Sequence, residues 1–136
     1  MSTALQMSEA TFLALHSMTI VAQAGTGFVA VKEIADLAGF SHAHLSKVLQ
    51  RLVKAGLLTS SRGPKGGFSL ARRADDVTLL EVYEAMEGPL TPYRCHVQIS
   101  HGSCPFAECL LSGLPERFTK EFHDYLAEKT LADVSK

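Results

Sequence analysis

The sequence contains no tryptophan and only three cysteines, an odd number that pairing within one chain cannot use up. No lysine or arginine occurs before Lys32, and the longest apolar run, residues 10–22, is shorter than the roughly 20 residues of a bilayer span. We therefore expect a cytoplasmic protein without a secretory leader or membrane segment. The chain also lacks a nucleophile elbow, a phosphate loop and an HExxH motif, so we do not expect an enzyme.

The charges of the chain are unevenly distributed. Of its 136 residues, 46% are hydrophobic and 20% are charged, which predicts an ordered domain with a buried core. Residues 32–73 hold eight basic and two acidic side chains, a net charge of +6, whereas the rest of the chain carries −7. This division favours a surface for an anionic partner, and a solvated basic face is the alternative that charge alone leaves open.

Hydrophobic periodicity and turn residues predict a mainly α-helical fold with a small β wing. The first predicted elements are helices over 8–24, 31–38 and 41–55, followed by strands over 57–61 and 68–72. Thr78 and Glu81 predict a capping box at the start of a fourth helix, which Gly88 should end. Pro115 predicts the first residue of a last helix, because a proline costs little in the first helical turn.

The second and third predicted helices form a helix-turn-helix. Ala35 offers a small side chain where the helices cross, and Gly39 suits the positive φ of the turn. The apolar positions of the second helix are Ile34, Ala35 and Leu37. Because a basic, glycine-rich wing follows directly, this pair of helices favours binding of double-stranded DNA over an ordinary helical hairpin.

The predicted DNA contacts lie on the third helix and at the tip of the wing. Residues near the start of the helix should face base edges, and the wing should reach the phosphate backbone or the minor groove. The full set is Ser41, Ala43, His44, Ser46, Lys47, Gln50, Arg51, Arg62 and Lys65.

Cys95, Cys104 and Cys109 lie in one predicted loop, with eight and four residues between them. Thiolates this close in sequence can share an iron–sulfur cluster or a metal ion. A zinc site of three cysteines completed by His96 or His101 is one alternative, and thiols that pack as small apolar groups are another. The spacing does not distinguish among these alternatives.

Several features in their order along the chain resemble the bacterial winged-helix regulators of the IscR/NsrR/CymR type, an Rrf-type family. They are the helix-turn-helix, the wing Arg62-Gly63-Pro64-Lys65-Gly66-Gly67-Phe68, Thr78-Leu79 with Val82, Glu87-Gly88, the three cysteines, and Thr130-Leu131-Ala132-Asp133-Val134. The resemblance covers nearly the whole chain. It implies a homodimer held by a long last helix and bound to a palindromic operator.

The family resemblance also implies an organisation for the cysteine region. In many members three cysteines hold a [2Fe-2S] or [4Fe-4S] cluster. We expect a single domain over 1–136, with a winged helix-turn-helix core over 8–88, a cysteine loop over 89–112 and a dimerisation helix over 113–130. A cluster-free regulator whose cysteines form a thiol switch or a zinc site is the alternative function.

The fourth ligand of such a cluster stays open. In two branches of the family, cluster ligands occupy the positions that correspond to Ser112 and Phe12 of this chain. Neither Ser112 nor Phe12 is the residue type that ligates the cluster in those branches. One redox-sensing member uses a histidine of the first helix, and its counterpart here is His16 of the partner subunit. His101 and His96 are the other candidates.

Overall fold

The computed structural model describes residue 5 and residues 7–136 of the chain. The predicted domain over 1–136 also includes residues 1–4 and 6, which lie outside the described residues. In chain order the elements are α1 (Glu9–Gln23), α2 (Val31–Ala38), α3 (His42–Lys54), β1 (Leu58–Ser61), β2 (Gly67–Leu70), α4 (Leu79–Glu87), α5 (His96–His101), α6 (Leu114–Glu128) and α7 (Leu131–Val134). This architecture confirms the predicted mainly helical fold with a small β wing.

Helix α1 lies in the middle of the core and packs against α3 and α4. It begins after Ser8, whose hydroxyl accepts a hydrogen bond from the Thr11 N–H, as an N-cap side chain does. The buried apolar side chains of α1 and α3 are Leu13, Ala14, Met18, Val21, Leu45, Val48, Leu49 and Leu52. Their burial fixes which side of α3 faces outward.

The helix-turn-helix forms as predicted, with Gly39 in the left-handed conformation at φ 72°. Ile34 and Ala35 are buried, but Leu37 is 73% exposed. Of the three apolar positions of α2, Leu37 therefore lies outside the core. With 3.6 residues per turn, Leu37 lies roughly a quarter turn or more from the centre of the buried face, which runs along Ile34 and Ala35.

The wing is an antiparallel pair of strands in which Leu58 faces Leu70 and Ser61 faces Gly67. Val29, in the segment before α2, forms a bridge with Phe68 through two backbone hydrogen bonds of 2.8 Å. A Cβ atom on Gly67 would lie 2.2 Å from the Val29 carbonyl oxygen, so this close approach requires glycine. Both predicted strands are present; β1 ends at the predicted residue, and the other ends differ from the predicted ones by one or two residues.

Helix α4 has the predicted capping box: the Glu81 N–H donates to the Thr78 hydroxyl at 3.2 Å, and the Thr78 N–H donates to the Glu81 carboxylate at 3.0 Å. The helix after Gly113 was predicted to be the last one, but a further helix, α7, follows it. Thr130 caps α7, and its first residue, Leu131, is fully buried. Helix α6 begins at Leu114, so Pro115 is its second residue, and the predicted dimerisation helix over 113–130 is shortened to Leu114–Glu128.

The cysteine segment, residues 89–112, connects α4 to α6. It was predicted to be a loop throughout, but it contains α5, which ends at Gly102 with φ 77°. None of its side chains is buried. Within the described residues, no helix is long and apolar enough to cross a membrane.

Candidate DNA-binding surface and cysteine segment

The buried apolar face of α3 leaves its opposite side at the protein surface. Ser41 occupies the N-cap position, although its side chain makes no capping hydrogen bond. The exposed predicted contacts on this element are Ser41, Ala43, Lys47, Gln50 and Arg51, and the half-buried ones are His44 and Ser46.

Three of the predicted contacts have partners within the chain. His44 Nδ1 lies 3.5 Å from Glu9 Oε1, and the Ser46 hydroxyl donates to the His42 carbonyl oxygen at 2.9 Å. Arg51 Nη2 donates to the Met86 carbonyl oxygen at 3.0 Å. Lys47 and Gln50, by contrast, have no side-chain partner within the described part of the chain, so their polar ends are free to meet a ligand.

The tip of the wing carries Arg62 and Lys65, which are both exposed. The turn between them is tight, because a Cβ atom on Gly66 would lie 2.3 Å from the Ser61 carbonyl oxygen. A groove of about 380 Å³ runs between the wing, the start of α2 and α3, and Gln50 and Arg62 both line it. Gln50 of α3 and Arg62 of the wing therefore line the same groove.

The charge on this surface is positive and largely unneutralised. No acidic residue occurs between Asp36 and Asp75. The basic residues that follow β2 are different, since Arg72 pairs with Glu81 at 2.7 Å and Arg73 pairs with Asp75 at 2.8 Å. Among the described residues, the basic side chains of α3 and the wing that have no carboxylate partner within 4 Å are Lys47, Arg51, Lys54, Arg62 and Lys65.

All three cysteines are free thiols; Cys95 is half-buried, and Cys104 and Cys109 are exposed. Backbone N–H groups of Gly113, Leu111 and Ser112 donate toward the Cys109 sulfur and lower the pKa of its thiol. The chain turns there through two consecutive residues of positive φ, Ser112 at 51° and Gly113 at 71°. The turn therefore favours the thiolate, which is the form that binds metals and reacts with oxidants.

The candidate histidine ligands lie on two different elements. His16 Nδ1 donates to the Phe12 carbonyl oxygen at 2.7 Å, because a carbonyl can only accept, and this leaves the Nε2 lone pair available. The His16 ring contacts Phe12 and Phe40, with centroids 6.3 and 6.0 Å away. His101 is exposed at the end of α5.

The fold does not gather these donors into a single centre. Over residue 5 and residues 7–136, no group of three or more His, Cys, Asp or Glu side chains is close enough to hold a metal ion. The chemistry of the donors still suits an iron–sulfur cluster, since all three thiols are free and the Cys109 thiolate is stabilised. Shared ligation would require the cysteine segment to change its conformation.

Helix α6, the predicted dimerisation helix, carries a row of exposed apolar side chains. Leu114, Phe118 and Tyr125 are about half exposed along one side of the helix, whereas the neighbouring Leu126 is buried. The Phe122 ring packs edge-on against Tyr83 at 5.4 Å. Phe122 and Leu126 thus pack into the core, while Phe118 and Tyr125 of the same helix lie at the surface.

Comparison with known proteins identifies relatives over most of the chain. Residues 7–136 match the family described as "Rrf2: Iron-dependent Transcriptional regulator". Protein rrf2 of Nitratidesulfovibrio vulgaris is 35% identical over 107 residues, which are 78% of this chain and 70% of that protein. The structure of CymR, the global cysteine regulator of B. subtilis, has a TM-score of 0.80 and 26% identity over 96% of both chains. The structure of T. potens IscR has a TM-score of 0.72 and 29% identity over 96% of this chain and 86% of that chain.

Proposed function

The chain belongs to the Rrf2 family of transcriptional regulators, which are not enzymes, and on this premise we propose that it is a homodimeric repressor or activator whose binding to a palindromic operator is controlled by an iron–sulfur cluster. The observation that carries the proposal is the set of exposed basic side chains on α3 and the wing that have no carboxylate partner among the described residues. Since phosphate charge dominates protein–DNA affinity, an unneutralised surface of this kind suits double-stranded DNA.

On such DNA, α3 enters the major groove with its N-terminal residues toward the bases. Ala43 can contact a thymine methyl group, and the free ends of Lys47 and Gln50 can donate to base edges. Ser41, His44 and Ser46 complete this end of the helix. At the wing, Arg62 and Lys65 reach phosphates on the flanking backbone, which sets the register of α3 without reading sequence.

A second copy of the chain covers the exposed apolar row on α6. Leu114, Phe118 and Tyr125 would otherwise leave apolar surface in water, which is typical of an interaction site. Pairing through one face of one helix gives a twofold axis, and a twofold dimer matches a palindromic operator. The two α3 helices must then lie about 34–36 Å apart to occupy successive major grooves.

The three cysteines, Cys95, Cys104 and Cys109, would hold the cluster. A bound iron–sulfur cluster supplies a redox-sensitive group whose retention depends on thiolate ligation. The Gly113 and Leu111 N–H groups lower the pKa of the Cys109 thiol, and the free Nε2 of His16 of the partner subunit or the ring of His101 can complete the ligand set. Because no side chain of the cysteine segment is buried, ligation would largely determine how that segment folds.

The experiment that tests this proposal is anaerobic purification followed by iron, acid-labile sulfide and zinc analysis. We expect brown protein with visible charge-transfer absorption, and an affinity for a duplex selected from random sequence that changes when the cluster is removed. Replacement of any one of the three cysteines by alanine should bleach the colour and leave helix content near that of the unaltered protein. Colourless protein with stoichiometric zinc would contradict cluster control while leaving DNA binding intact.

A cluster-free thiol switch is the second candidate, favoured by the exposed position and lowered pKa of Cys109. A thiolate in this setting reacts readily with peroxide and with other thiols. In that case DNA affinity would respond to oxidant and recover with dithiothreitol in protein that holds no iron. Cys109→Ser would abolish the response, and Cys95→Ser would then report whether a second thiol takes part.

A further inference from the structure

Three elements meet at the C-terminal end of α4, which is also the point from which the cysteine segment leaves the core. The residues of this end that form hydrogen bonds to other elements are Glu84, Met86 and Glu87, and we call them the α4 junction. Their partners lie on α1, on α3 and at the start of the cysteine segment. The junction is therefore the place where these three parts of the chain are held together.

Arg51 attaches α3 to the junction. Its Nη2 donates to the Met86 carbonyl oxygen at 3.0 Å, and Met86 itself is buried. This carbonyl belongs to the last turn of α4, where carbonyl oxygens have no partner within the helix. A guanidinium is suited to this position, because its charge complements the negative end of the helix dipole while its nitrogen satisfies the free carbonyl.

Glu87 attaches α1 to the same junction. Its carboxylate accepts hydrogen bonds from the Ser8 N–H at 3.0 Å and from the hydroxyls of Ser8 and Thr11. These bonds lower the pKa of Glu87, with a smaller contribution from the charge of Arg51. The negative Glu87 carboxylate thus lies at the N-terminus of α1, which is the positive end of the helix dipole. The positive charge of Arg51 on α3 also stabilises this carboxylate.

Glu84 attaches the start of the cysteine segment. Its carboxylate accepts a hydrogen bond from the Leu90 N–H at 2.9 Å, and its carbonyl accepts one from the Gly88 N–H at 2.9 Å. The chain between them leaves the helix through Gly88, at φ 85°. A movement of the segment at Leu90 therefore pulls on the helical turn that contains the Met86 carbonyl.

We propose that Arg51 is a positioning residue that fixes the C-terminal half of α3 to the α4 junction, rather than a phosphate contact. Its guanidinium makes a defined bond inside the protein, whereas Lys54, three residues further along α3, is exposed and has no partner in the described residues. Through Arg51, a displacement of the cysteine segment reaches the helix that reads DNA. This regulatory consequence rests on the proposed function, but the attachment itself does not.

The attachment is tested in the free protein, without DNA or cluster, by amide hydrogen exchange of Gly88 and Leu90. Arg51→Met removes every donor and keeps a side chain of similar length, and Lys54→Met removes the same charge from the same helix as a matched control. We expect exchange in Arg51→Met to be up to about tenfold faster, as the loss of one hydrogen bond implies. Exchange in Lys54→Met should stay within about twofold of the unaltered protein.

The phosphate alternative is tested by the dependence of DNA affinity on salt. Neutralising one phosphate contributes about 0.9 to the slope of log affinity against log salt concentration. We expect Arg51→Met to have the same slope as the unaltered protein. A slope for Arg51→Met that is smaller in magnitude by about 0.9 than that of the unaltered protein, with unchanged exchange at Gly88 and Leu90, would overturn the proposal.

The role of Arg51 can still be decided if a variant does not fold or if the protein binds no DNA. If Arg51→Met does not fold, Arg51→Ala removes the same donors from this exposed position, so faster exchange at Gly88 and Leu90 supports the attachment and unchanged exchange refutes it. If no duplex is bound by any form of the protein, the proposed function fails, and the exchange of Gly88 and Leu90 still decides the role of Arg51.

Discussion

The wing gives the most direct quantitative prediction about DNA binding. Arg62 and Lys65 are exposed at its tip and have no partner among the described residues, so each is free to neutralise one phosphate. Replacing Arg62 by alanine should therefore reduce the slope of log affinity against log salt concentration by about 0.9, and replacing both residues should reduce it by about 1.8. Fluorescence anisotropy of a labelled duplex at several salt concentrations measures these slopes.

The change in slope translates into a measurable difference in affinity. Between 50 and 200 mM salt, a slope difference of about 0.9 corresponds to a factor of roughly 3.5 in affinity. The fold-loss of affinity of Arg62→Ala over this range should therefore be about 3.5 times smaller than the fold-loss of the unaltered protein. For the double variant the fold-loss should be about 12 times smaller. Because phosphate contacts carry no sequence information, the loss at any one salt concentration should be similar on cognate and unrelated duplexes.

Arg73 provides the matched control. It is an exposed arginine close to the wing in sequence, but its guanidinium already binds Asp75 through two hydrogen bonds of 3.0 and 2.8 Å. Arg73→Ala should therefore leave the slope unchanged. An equal reduction in Arg73→Ala and Arg62→Ala would show that overall charge rather than docking of the wing sets the slope, and an unchanged slope in both would show that the wing does not meet DNA.

Three further predictions concern the dimer, the junction and the cysteine segment. Phe118→Glu should convert a dimer into a monomer in analytical ultracentrifugation, whereas Glu121→Gln on the same helix should not; a dimeric Phe118→Glu protein would place the interface elsewhere. Since bonds from Ser8 and Thr11 lower the pKa of Glu87, its contribution to stability is present at neutral pH and is lost as the pH falls below the unfolded value of about 4.3. Urea unfolding of Glu87→Gln should therefore show lower stability at pH 7 and a weaker loss in acid, and identical pH profiles would contradict this reasoning. His16→Ala should destabilise the cluster in anaerobic absorption spectra if His16 of the partner subunit is a ligand, and an unchanged spectrum and redox response would exclude it.

The winged-helix core could be predicted from the sequence because steric rules act on it residue by residue. Gly39 has the positive φ that the turn requires, and Gly67 lies so close to the Val29 carbonyl that no side chain fits. The capping box of Thr78 and Glu81 is equally local. The Gly39 turn and the capping box depend on neighbours a few residues away, so the sequence pattern was sufficient to predict them. The approach of Gly67 to Val29, 38 residues earlier in the chain, was not predicted.

Other features depend on which surfaces meet, and spacing could not reveal them. Leu37 has the residue type of a core position but lies off the buried face of α2. Phe118 and Tyr125 share a helix with the buried Leu126, yet both are about half exposed. Arg51 was predicted to contact DNA from its place on the exposed side of α3, and its partner Met86 is 35 residues away in the chain.

The cysteine segment is the least predictable part of the protein for a different physical reason. Burial of apolar side chains fixes α3, but no side chain between residues 89 and 112 is buried, so burial alone does not select one conformation there. Bonds formed by Cys95, Cys104 and Cys109 can supply the missing constraint, and the segment would then adopt the shape that its bound group or its oxidation state imposes. The start of this segment is fixed by the bond between Leu90 and Glu84, within one turn of the carbonyl that holds Arg51. A weakly constrained segment attached at this point can respond to chemistry at its thiols without unfolding the core, and in the proposed mechanism Arg51 would pass that response to α3.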